Sequence, residues 1–136
     1  MLRDCDVFAV VPVNDLKLLA TMFEPREFAD GDVVFREGDP ASEVYAIVDG
    51  QMEVSLEDGS VIAIAGRANV VGEYGMFGPH RRTATVVSRG ATRTLALDYQ
   101  RFHRFLLVFP ESSLALLRLT VERLIAQRRA VGHHVP

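Results

Sequence analysis

Between Val70 and Ser88 the chain reads VVGEYGMFGPHRRTATVVS. One acid, Glu73, stands between Gly72 and Gly75, and two arginines, Arg81 and Arg82, come directly before an apolar run. These residue types suit the capture of a small anion. Gly72 has no Cβ, so a ligand can approach its backbone closely. The stretch EYGMF can form one helical turn, whose first N–H groups point outward and favour negative charge. Gly75 keeps the surface of that turn bare. An arginine adds a full charge and a two-pronged donor set matched to phosphate. Spacing alone leaves Arg81 and Arg82 equally placed for that role. A glutamate repels a bare anion, but it accepts a hydrogen bond from a hydroxyl such as that of a ribose. Acid, amides and arginine together therefore read as a ribose-phosphate site. The competing reading is an ion pair between Glu73 and either arginine, worth about 0–1 kcal/mol if exposed.

The elements that would position these residues are short. PVNDLKLLATMF places Leu16, Leu19, Ala20 and Phe23 at helical spacing, with Asn14 or Asp15 near its start. After Pro25 the period changes. VVFRE, EVYAIV, QMEVSL and SVIAIA are β-rich runs separated by Gly38-Asp39-Pro40, Asp49-Gly50 and Asp58-Gly59. Met52, Val54 and Leu56 alternate with polar residues, and Asp58-Gly59 predicts a hairpin. TATVVS and TRTLALDY follow the Val70–Ser88 stretch. Asp98 is placed to cap the helix DYQRFHRFLL. A long helix is expected from about Glu111 to Arg129, with Leu114, Leu117, Val121 and Leu124 in one apolar stripe. That stripe packs on the protein's own barrel or on a second copy. Residues 132–136 read as a tail.

Other chemistries find little support. The net charge of −3 argues against the basic stripe of a nucleic-acid surface. His80, His103, His133 and His134 form no H-x-H pair on a strand, so a metal site is not expected. Cys5, the sole cysteine, has no histidine beside it and cannot close an intrachain disulfide, which suits a reducing, cytoplasmic setting. No run approaches the ~20 apolar residues of a membrane span. No nucleophile elbow and no P-loop is present, so an enzyme is not expected.

The residues Gly72-Glu73 and Arg82-Thr83-Ala84-Thr85-Val86 resemble the phosphate-binding cassette of cyclic nucleotide-binding domains. The family includes the catabolite activator and protein kinase A regulatory subunit types. The likeness extends over FADGDVVFREGDPASEVYAIVDGQMEV and covers roughly Val7 to Arg129. It implies a mainly β fold with flanking helices: a β-jelly-roll (double-stranded β-helix) barrel with an N-terminal helix and C-terminal helices. One domain, 1–136, is expected, with an N-terminal helical segment (1–24), the β-barrel (25–98), C-terminal helices (99–131) and the tail.

The resemblance also assigns roles. Glu73 accepts the ribose 2′-hydroxyl. Gly72 and the amides of Tyr74, Gly75 and Met76 line the phosphate side. Arg82, not Arg81, pairs with the cyclic phosphate. Thr83 touches the phosphate or a guanine, Val54 and Ile62 pack near the ligand, and Gln127 and Arg128 cover the base. Two departures stand out: Ala68 replaces a glycine usual in the turn before the cassette, and Tyr74 stands where an aliphatic residue is commoner and would crowd the site if turned inward. The implied function is a cyclic nucleotide-binding regulatory module, a sensor of cAMP or cGMP needing no other cofactor, which relays occupancy through its C-terminal helix. Implied partners are the nucleotide, a second copy through that helix and an effector protein. No helix-turn-helix pattern follows the long helix, so neither nucleic acid nor membrane is expected as a partner. The alternative is a degenerate fold acting as a ligand-free interaction or dimerisation domain.

Overall fold

The computed structural model describes residues 1–76, 78 and 80–134, with side chains through residue 129. Two short N-terminal helices, α1 (Asp6–Ala9) and α2 (Val13–Ala20), precede six strands. These are β1 (Glu24–Phe28), β2 (Val33–Phe35), β3 (Glu43–Ser55), β4 (Val61–Ala65), β5 (Val70–Val71) and β6 (Thr85–Asp98). Helices α3 (Tyr99–Val108) and α4 (Pro110–His134) follow. All strand pairs are antiparallel: the order β1-β6-β3-β4 forms the main path, β2 adds to β6 and β5 adds to β3. This is a β-roll flanked by helices, the mainly β class read from the sequence.

Two strand boundaries differ from the sequence reading. EVYAIV and QMEVSL are one strand, β3, and Asp49-Gly50 is a bulge within it, where the register with β6 shifts between Ile47 and Gln51. TATVVS and TRTLALDY likewise merge into β6. A bulge bends a strand without reversing it, so two long strands can curl round the roll. β1 was not anticipated, because Pro25 lies inside it; the strand is at the sheet edge, where a missing N–H is tolerated. Asp58-Gly59 does form the hairpin between β3 and β4. Asp98 caps α3, its carboxylate accepting the Arg101 amide at 3.0 Å. Helix α4 runs to His134, past the expected tail boundary, since no proline between Pro110 and Pro136 forces a stop.

Burial divides the core in two. Inside the roll, Tyr45, Ile47, Met52, Val71 and Val86 pack together with Phe28 and Phe35. At its end, Phe8, Leu16, Leu19 and Phe23 of the N-terminal segment meet Leu97, Phe102 and Phe105. This second cluster fixes α3 against the roll. The apolar stripe of α4 is not part of either: Leu117 and Leu124 are each 59% exposed, and Leu114, Val121 and Ile125 are also exposed. The protein's own roll does not cover it.

Ala68 has φ 70°, a left-handed conformation that costs a residue with a Cβ about 1–2 kcal/mol. The turn is held by the Ala68 amide on the Ile47 carbonyl at 2.9 Å and by the Asn69 side chain on the Gly66 amide at 2.8 Å. Ala68→Gly is therefore expected to stabilise the fold by about 1 kcal/mol and raise the melting temperature by about 4 °C. Thermal denaturation checks this; an unchanged or lower midpoint would contradict the strain at Ala68.

Candidate ligand-binding site

β5 leads into Gly72, and β6 begins three residues after Arg82, so residues 72–84 hang between two strands of the roll. Within this segment Tyr74–Met76 form a single 3-10 turn. The loop between β2 and β3 holds the arginine end: the Arg82 amide donates to the Asp39 carbonyl at 2.8 Å, and the Arg82 carbonyl accepts from the Gly38 amide at 2.8 Å. Consecutive residues of an extended chain point to opposite sides. Arg81 accordingly faces out, its guanidinium donating to the Gly38 carbonyl at 3.0 Å, while Arg82 turns in.

Arg82 is 7% exposed. Its guanidinium lies over the Phe35 ring, 3.9 Å from the centroid. Nη1 donates to the Tyr99 hydroxyl at 3.2 Å and, at 3.5 Å, to the Gly72 carbonyl. Among the described residues Nε has no partner and the side chain makes no salt bridge. A buried cation without a counter-charge is costly, and an anion entering the site would relieve that cost. The ion pair between Glu73 and an arginine, the competing reading of the sequence, is not formed among the described residues.

Arg82 lines a cavity of about 420 Å³. Gly72, Glu73, Tyr74, Gly75, Arg82, Thr83, Val54 and Ile62 all line it, eight of the eleven residues read from the sequence. Gly72 is needed at its place: φ is 86°, and a Cβ there would lie 2.5 Å from Arg82 Nη1. The Tyr74 ring is 69% exposed at the cavity wall, so it does not fill the site. Tyr74 thus does not crowd the site as it would if turned inward.

Three residues depart from expectation. Met76 is buried in the core, and its amide is already spent on the Glu73 carbonyl at 3.1 Å. It cannot offer that N–H to a phosphate. Gln127 and Arg128 are exposed on α4 and are not among the residues lining the cavity. Arg123, one turn before Gln127, lines it instead. Phe35, Tyr99 and Arg123 escaped the sequence reading. Phe35 and Tyr99 look like ordinary alternating strand residues, and no local spacing signals that they converge on Arg82.

Burial pushes the Glu73 carboxyl above its ordinary value of 4.5, against a smaller lowering by a backbone hydrogen bond and the Arg123 charge. A raised folded-state pKa means that the folded protein holds the proton longer than the unfolded chain. Stability is then lost as pH rises from 4.5 through the folded value. Glu73→Gln removes that loss. The variant is expected to melt as the wild type does below pH 4.5 and higher than the wild type at pH 7; a difference independent of pH would contradict this.

Comparison with known proteins places the chain in a family. The family model described as "Cyclic nucleotide-binding domain" matches residues 25–108. A cAMP-dependent protein kinase regulatory subunit of Dictyostelium discoideum is 37% identical over 93 residues, 63% of this chain and 28% of that protein. A CRP-like cAMP-activated global transcriptional regulator of Mycobacterium tuberculosis is 27% identical over 128 residues, 91% of this chain and 57% of that protein. The chain thus spans little more than half of these relatives at most. The crystal structure of the N-terminal domain of a transcriptional regulator from Streptomyces coelicolor A3(2) superposes with a TM-score of 0.84 at 30% identity, covering 96% of this chain and 94% of that one. With its fold, its cavity and the family match over residues 25–108, the chain belongs to the cyclic nucleotide-binding domain family.

Proposed function

We propose that the cavity binds a 3′,5′-cyclic nucleotide, cAMP or cGMP, and that the C-terminal helices pass its occupancy on to an effector protein. The observation that carries this reading is Arg82: a buried cation that lines the cavity and whose Nε and positive charge have no hydrogen-bond or carboxylate partner among the described residues. The cyclic phosphate pairs with Arg82 and meets the backbone of Gly72, Tyr74 and Gly75. Glu73 accepts the ribose 2′-hydroxyl; a hydrogen bond to a charged acceptor contributes about 1.5–3 kcal/mol. Val54 and Ile62 wall the sugar and base. Thr83 offers a hydroxyl to the phosphate or to a guanine. Arg123 reaches the base end, and Gln127 and Arg128 follow further along α4.

Occupancy can move α4 only if the nucleotide contacts it differently in two states. Arg123 supplies that contact by lining the cavity from α4. The uncovered stripe of α4 supports pairing with a second copy of the chain, which would bring two sensors onto one helical seam. Among the described residues no three His, Cys, Asp or Glu side chains cluster to hold a metal. The module is read as a binder because the family model it matches is that of a cyclic nucleotide-binding domain. Isothermal calorimetry with cAMP and with cGMP tests the reading. Saturable binding of at least one is expected, and the absence of heat with both at millimolar ligand would overturn it.

A further inference from the structure

Arg82 is held by a neutral group, and that group belongs to α3. The Tyr99 side chain is buried, and its hydroxyl accepts from Arg82 Nη1 at 3.2 Å while donating to the Gly72 carbonyl. Gly75 closes the other side: a Cβ there would lie 2.9 Å from the Tyr99 oxygen. The phenol is thus enclosed by three residues of the proposed phosphate site. One turn further along α3, His103 Nε2 lies 2.6 Å from the Met76 carbonyl. Helix α3 therefore grips the cassette both before its 3-10 turn, at Gly72, and at the last residue of that turn, Met76.

The chemistry of this grip matters. A carboxylate beside Arg82 would neutralise it and compete with an incoming phosphate. A phenol orients the guanidinium and leaves its full charge available. With Nη1 turned to Tyr99 and one face covered by Phe35, the buried Nε is left without a partner among the described residues, a donor that an anion drawn to the guanidinium would satisfy.

We propose that Tyr99 is a positioning residue for Arg82, its hydroxyl setting the guanidinium for side-on capture of the phosphate and tying that capture to α3. The proposal rests on the reading of the cavity as a cyclic nucleotide site. Phe keeps the ring and removes only the hydroxyl, so the test is a set of calorimetric titrations with cAMP, or with cGMP if that binds tighter. Tyr99→Phe is measured in three backgrounds: wild type, Arg82→Lys and Glu73→Gln. One lost hydrogen bond lowers affinity by about tenfold in the wild type. The same loss is expected with Glu73→Gln, whose ribose contact is independent of Tyr99. A loss below about twofold is expected with Arg82→Lys, which no longer presents the planar fork. Equal losses in all three backgrounds, or none in the wild type, would overturn the role of Tyr99 while leaving the site intact. A wild type that binds no cyclic nucleotide overturns both.

Discussion

Arg82→Ala is expected to lower cyclic nucleotide affinity by about 2–5 kcal/mol, roughly thirty- to several-thousand-fold. The size follows from burial: at 7% exposure the guanidinium meets its ligand away from bulk water, where screening is weak. The same substitution is expected to leave the ligand-free fold nearly unchanged. It forfeits a cation–π contact with Phe35, worth about 0.5–2 kcal/mol, but also relieves a desolvated cation lacking a counter-charge. The two effects oppose each other, so the midpoint without ligand should move by less than about 4 °C. Saturating nucleotide then separates the proteins. At a hundred times the wild-type Kd it adds about 2.7 kcal/mol to the wild type, near 10 °C in melting temperature, and less than about 1 kcal/mol, or 3 °C, to the variant. A variant whose melting temperature rises with nucleotide as much as the wild type's would remove Arg82 from the site.

The second large effect concerns α4. Leu114, Leu117, Val121 and Leu124 recur at intervals of three and four residues and all stand exposed. That is the spacing of a two-helix seam. Burying one leucine fully contributes about 1.5–3 kcal/mol, and a symmetric seam would take two leucines from each copy at positions 117 and 124. Leu117→Glu with Leu124→Glu removes those four and places four carboxylates in their stead. The double variant is expected to sediment as a monomer at concentrations near 10 μM, where the wild type sediments as a dimer; four such burials far exceed the ~1.4 kcal/mol that a tenfold shift requires. Both leucines are exposed and outside the two core clusters, so folding of the roll is not at stake. A monomeric wild type at 100 μM, or a dimeric double variant, would contradict the seam.

Alternation and turn chemistry made the class of fold legible: Met52 with Val54, Leu95 with Leu97, and the Asp58-Gly59 hairpin all belong to the strands expected for them. Asp49-Gly50 misled because the same dipeptide suits a reversal and a bulge. Only the pairing of β3 with β6, some forty residues away, decides between them. The family pattern named Arg82 over Arg81, and the β2–β3 loop supplies the physical reason by pinning the backbone of Arg82 so that Arg81 faces solvent. Glu73, Gly72 and Thr83 were legible because they lie within one short segment. Tyr99, Phe35 and Arg123 were not, since each reaches the cavity from a different element and only the closed roll brings them together. That the Met76 amide already donates to Glu73 was not legible, because the sequence does not reveal which amide of a 3-10 turn is hydrogen-bonded.

A crystal structure of the chain grown with the tighter-binding cyclic nucleotide tests the central claim most directly. The expected result is a phosphate oxygen within hydrogen-bond distance of Arg82 Nε and the ribose 2′-hydroxyl on the Glu73 carboxylate. A nucleotide bound elsewhere, or one in the cavity with Arg82 still unpaired, would contradict it.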